Sequence, residues 1–120
     1  ISEFNAGGTL LLDLNLPIGW DTYRAYREAW AGRPLTAPKL VAETRSDGGT
    51  TAYMSWNGAT GVAGWQLLAG DSPASLQPVA FVPRRGFETE IRLADLAPAA
   101  QVRALDANGT VIGQSAVVES

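Results

Sequence analysis

From Lys39 to Ser120 the chain is a succession of short runs in which apolar and polar residues alternate, separated by clusters rich in Gly, Asn, Asp and Pro. Residues two apart share a face of an extended strand, so such runs bury one side and wet the other. The clearest is 87–93, where Phe87, Thr89, Ile91 and Leu93 alternate with Glu88, Glu90 and Arg92. Further strands are expected at 40–44, 51–56, 62–69, 76–82, 102–106 and 111–118, the fourth made irregular by Pro78. Ala52, Met54 and Trp56 should face inward from one of them, and Trp65, Leu67 and Ala69 from the next. The last two should pair across Ala107-Asn108-Gly109, because an Asn-Gly step suits a tight hairpin. Seven short strands with turns between them and no long helix predict an all-β, two-sheet sandwich.

Composition narrows the function. The chain has 120 residues, 46% hydrophobic and 18% charged, with 13 Gly and 7 Pro, which suits one compact, loop-connected β domain. Its net charge of -3 is spread out and offers no basic stripe, so a nucleic-acid partner is not expected. No apolar run approaches the roughly 20 residues that span a bilayer, and no membrane partner is expected. There is no histidine, no cysteine and only one lysine, Lys39. Thiolate metal sites, disulfides and histidine-based nucleophilic triads are therefore excluded, and the chain is expected to be no enzyme and to carry no cofactor and no metal. Because it starts at Ile1 rather than Met, it is expected to be part of a longer protein.

Residues 1–17 read as a β-hairpin. Phe4 precedes the turn cluster Asn5-Ala6-Gly7-Gly8, and Leu10, Leu12, Leu14 and Leu16 then share one strand face. Asp13 and Asn15 point the other way, Leu11 breaks the alternation, and Pro17 ends the strand. A lone hairpin is marginal in water. This one is expected to fold onto the sandwich edge or to pair between two copies, as a homodimer or by strand exchange.

Residues 18–38 form an aromatic, arginine-rich linker. Trp20, Tyr23, Tyr26 and Trp30 are interleaved with Arg24, Arg27 and Arg33, and the ring spacing fits one face of a short helix. Such rings could stack a sugar or a phenol, or they could be hidden against protein with the arginine stems lying over them. Burying one Trp is worth up to roughly 5 kcal/mol at about 25 cal/mol per Å², so the second reading is favoured. The contact residues are then expected to be Trp20, Tyr23, Arg24, Tyr26, Arg27 and Trp30. Glu88 and Glu90, beside Arg92 and near Arg84 or Arg85, read as a solvated sheet face rather than as paired acids of a hydrolase. Asp71, Asp106 and Asn108 read as turn residues.

The motifs Tyr53-Met54-Ser55-Trp56, Trp65-Gln66-Leu67, Leu93-Ala94-Asp95-Leu96-Ala97-Pro98 and Val102-Arg103-Ala104 together resemble a fibronectin type III, or immunoglobulin-like, sandwich over 39–120. The tyrosine that usually precedes the sixth strand in that family is missing, since Pro98 to Gln101 holds no aromatic. The longer ordered set includes Glu3-Phe4-Asn5-Ala6-Gly7-Gly8, Tyr23-Arg24-Ala25-Tyr26-Arg27, Trp30, Gly32-Arg33-Pro34, Ser55-Trp56-Asn57-Gly58 and Leu68-Ala69-Gly70-Asp71-Ser72-Pro73. It resembles the C-terminal region of arylsulfotransferase-like secreted proteins, where a β-propeller ends in a hairpin, passes through a Tyr-Arg linker and closes with a sandwich. That resemblance implies a secreted parent whose propeller is the partner of this segment. The 1–17 hairpin would be a remnant of a propeller blade, and the whole would be a non-catalytic accessory domain. The family's catalytic histidine has no counterpart here. The alternative is a carbohydrate- or aryl-ligand-binding module that uses the linker aromatics.

Overall fold

The computed structural model describes residues 1–24, 26 and 28–119. These form ten strands: β1 (Ser2–Phe4), β2 (Leu10–Asp13), β3 (Lys39–Thr44), β4 (Thr50–Ser55), β5 (Gly64–Gly70), β6 (Gln77–Pro83), β7 (Glu88–Leu93), β8 (Ala99–Leu105), β9 (Val111–Gln114) and β10 (Val118–Glu119). No helix occurs among the described residues. All pairings are antiparallel. β1 and β2 stand as a ribbon, β3-β4-β7 form one sheet, and β6-β5-β8 form another in which β9 and β10 both pair with β8. The two larger sheets share one core, consistent with a β-sandwich.

That core follows from the period-2 pattern. Leu40, Ala52 and Met54 from the first sheet meet Trp65, Leu67, Val102 and Ala104 from the second. Met54, Val102 and Ala104 are wholly excluded from solvent. The Trp65 indole is just as deeply held, yet its Nε1–H meets no acceptor among the described residues. The ring therefore stabilises by volume and apolar contact, against a cost of about 1–3 kcal/mol for the unpaired donor.

Three hairpins share one turn design. In 5–9, 45–49 and 106–110 the first residue's N–H bonds the fifth residue's carbonyl, and the fourth residue's N–H returns to the first carbonyl. The fourth residue is Gly8, Gly48 or Gly109, each left-handed near φ +80°. A type I turn closed by a left-handed glycine is the usual three-residue hairpin loop. Asn5 and Asp106 reinforce it alike, each Oδ1 accepting from backbone N–H groups two and four residues on, at 2.8–2.9 Å.

Four expectations need correction. The strand expected over 111–118 is broken. Ser115 keeps its N–H on Val102 O at 2.9 Å, but its carbonyl accepts from Gln101 Nε2 instead, and its Oγ accepts from Val102 N–H at 3.1 Å and donates to Ala116 O at 2.7 Å. The side chain thus occupies the donor that a continuous strand would have paired. Phe87 is 67% exposed rather than inward, because β7 begins one residue later, where Glu88 pairs with Ser55. The 18–38 segment forms no helix among its described residues; about ten residues without a packing surface cannot offset the cost of helix nucleation. Finally, the β1–β2 ribbon does not fold back onto the sandwich. Leu10, Leu11, Leu12, Leu14 and Leu16 are all exposed, and the radius of gyration is 19.1 Å where a compact chain of this length has about 14 Å. A bulge opposite Phe4 accounts for Leu11, which breaks the alternation because Phe4 pairs with Leu10 and Glu3 with Leu12.

Candidate functional site

The apolar N-terminal ribbon runs directly into the aromatic segment. Pro17 and Trp20 close a turn through Trp20 N–H to Pro17 O at 3.0 Å, with Gly19 left-handed at the position a type II turn requires. Beyond it no strand or helix forms among the described residues before β3, and the rings stand in water: Trp20, Tyr23, Tyr26 and Trp30 are 71%, 91%, 75% and 72% exposed. The expectation that these rings are hidden is not met within this chain. Neither of the two clefts described below is lined by Trp20, Tyr23, Tyr26 or Trp30. Locally they organise with arginine. The Arg24 guanidinium sits 5.1 Å from the Tyr23 ring centre and donates to Tyr26 Oη at 3.3 Å. Arg27, the remaining expected contact residue, lies outside the described residues.

From Gly32 onward the segment belongs physically to the sandwich. Gly32 N–H donates to Thr60 Oγ1 at 2.8 Å, and Thr60 N–H returns to Gly32 O at 3.3 Å. Four residues later Thr36 O accepts Trp56 Nε1–H at 2.7 Å. Trp56 was expected in the core. It stands just past β4, half-buried, packed against core residues and against Gly113, where a Cβ would come within 2.6 Å of the ring. The indole is thus the post around which the incoming chain is wound. The turn at 56–59, the Arg84–Gly86 stretch and the 106–110 hairpin gather near this end, with Arg84 bonding both Ala59 O and Gly86 O. A cleft of about 550 Å³ opens between the incoming chain and these loops, walled by Arg33, Trp56, Thr60, Asp106 and Ile112. A second, of about 570 Å³, lies across Trp56 and is bounded by Lys39, Ser55 and Phe87.

Titratable groups offer little reactive chemistry. Asp47 is held below the usual carboxylate range, chiefly by Arg45 at 2.6 Å, and Arg45 is raised in turn. Asp13 is lowered by hydrogen bonds from Ser2 and then Asn15. Both are exposed surface groups. Glu90 lies 3.5 Å from Arg92 on the outer face of β7, as expected of a solvated sheet surface. Among the described residues no three acidic side chains converge as a metal site would require.

Sequence reasoning found the aromatic segment from its composition, but missed the Gly32–Thr60 and Thr36–Trp56 stitches. The available signal was Gly32-Arg33-Pro34 ahead of Pro38, a stretch suited to close backbone approach. Comparison with known proteins finds no matching family model, no matching curated protein and no matching solved structure.

Proposed function

We propose that this chain is a non-catalytic accessory module with a fibronectin type III-like sandwich, and that its N-terminal ribbon and aromatic segment are covered by another domain. Following the resemblance in the sequence, that domain is the β-propeller of a secreted arylsulfotransferase-like protein. The strand order supports the sandwich part: β3, β4 and β7 oppose β6, β5, β8 and β9, as in immunoglobulin-like Greek keys.

One observation carries the docking part. The large apolar side chains between Ile1 and Trp30 all stand 38% or more exposed. At about 200 Å² for a fully exposed side chain this leaves roughly 1,500 Å² of apolar surface in water. A typical monomer's largest apolar patch is about 300–600 Å², and a stable interface takes about 800 Å² from each partner. The segment is therefore dimensioned as a contact surface. Rings that stand 71% or more exposed favour a broad protein contact over an enclosing sugar or phenol pocket.

The test is a calorimetric titration of the chain into a separately produced propeller of that family lacking its own C-terminal hairpin. Micromolar or tighter association, abolished by Leu12→Glu with Leu14→Glu, is the expected result. Heat changes indistinguishable from dilution would remove the proposal.

A further inference from the structure

The outer face of the β6-β5-β8-β9 sheet holds a row of side chains that the docking proposal does not use. Strand register places Phe81 beside Gln66, Gln66 beside Arg103, and Arg103 beside Gln114. Their neighbours Trp65, Val102 and Ala104 point into the core, so the four face outward together. The row crosses four strands and spans about 14 Å.

Phe81 is 61% exposed. Its ring reaches over Gly64, where a Cβ would sit 2.8 Å from Cε2 and Cζ, so the missing side chain makes room for the ring against the sheet. Gln66 and Arg103 are half-buried, and neither they nor Gln114 make a side-chain hydrogen bond or ion pair among the described residues. Glu119, opposite Ala99, lies four residues along β8 from Arg103, at about 13 Å. Arg103 therefore brings a positive charge to the centre of the row with no ion-pair partner among the described residues.

We infer that this row is a saccharide-binding platform with a preference for sugars bearing a carboxylate. The flat phenyl surface stacks on the apolar C–H face of a pyranose. The two amides offer both donors and acceptors to hydroxyls, and the Arg103 fork matches a carboxylate in two parallel hydrogen bonds. A protein partner fits less well, because Phe81 and Val79 together supply only a fraction of the roughly 800 Å² per side that a stable protein contact requires. This site is separate from the linker aromatics and independent of the docking proposal.

Nuclear magnetic resonance titration of the isotope-labelled chain tests it, with a galacturonic acid trisaccharide and a neutral glucose trisaccharide as probes. At about 10 mM ligand even a millimolar site is mostly filled. The expected result is shift changes confined to amides of Gly64, Gln66, Phe81 and Arg103, larger for the acidic probe. Phe81→Ala should weaken binding about tenfold or more while Phe81→Tyr retains it, which separates loss of stacking from loss of fold. Arg103→Gln should erase the preference for the acidic probe, and Trp20→Ala with Trp30→Ala should change nothing. The inference is overturned by the absence of shifts on this face with either probe. It is equally overturned by binding that survives Phe81→Ala and Arg103→Gln, or by a concentration-dependent dimer that Phe81→Ala dissolves.

Discussion

Gly32 and Thr60 exchange two hydrogen bonds, one from the Gly32 N–H to the threonine hydroxyl and one back to the Gly32 carbonyl. This reciprocal stitch marks where a water-exposed segment becomes part of the sandwich. A Cβ on Gly32 would lie 2.0 Å from the Gly58 carbonyl oxygen, so no side chain fits without separating the two backbones. Gly32→Ala should therefore release 31–36 from the loop end. Hydrogen exchange should accelerate there while β5 and β8 stay protected, and Thr60→Val should act the same way more weakly, by about 1 kcal/mol. Unchanged exchange in both variants would show that the stitch holds nothing.

Ser115 replaces a missing strand residue. Its hydroxyl is the acceptor for Val102 N–H in the core-facing strand β8. Ser115→Ala leaves that buried donor unpaired, at a cost of about 1–3 kcal/mol. Urea denaturation should show a lower midpoint with an unchanged slope. A midpoint equal to that of the parent chain would mean another group takes over the donor.

The four tryptophans divide by environment. Trp65 is 2% exposed, Trp56 is half-buried, and Trp20 and Trp30 are more than 70% exposed. Acrylamide quenching of the chain alone should resolve an accessible and an inaccessible emission component. The double variant Trp20→Phe with Trp30→Phe should lose the accessible one. A single, uniformly shielded component would mean these rings are covered in solution.

Acid should weaken the 45–49 hairpin in one direction only. Asp47 has a folded pKa depressed by Arg45, so its contribution is fully present above the unfolded value of about 4 and is lost as pH falls through the lower folded value. Asp13 follows the same sign through Ser2 and Asn15. Stability should be flat between about pH 5 and 7 and decline below about pH 4, and Asp47→Asn should flatten that decline. Thermal melts across this range check it; a decline that is identical in Asp47→Asn would assign it to other carboxylates.

The strands were readable because period-2 alternation and turn chemistry are local. Thr89, Ile91 and Leu93 sit where their spacing puts them, and Gly109 takes the left-handed conformation that its position demands. The break at Ser115 was not readable, since its cause is a backbone donor on another strand. Phe81, Gln66, Arg103 and Gln114 are scattered along the sequence, and only strand register collects them into a row. The aromatic segment was legible as a cluster of ring types. Its exposure was not, because exposure depends on what else lies nearby.

Hydrogen exchange at 1–30, measured on the chain alone and again with the propeller bound, tests the central claim most directly. Fast exchange in the free chain with strong protection of the β1–β2 ribbon and the Trp20–Trp30 stretch on binding is the predicted result. Equal, unprotected exchange in both states would contradict it and leave the exposed rings without a protein partner.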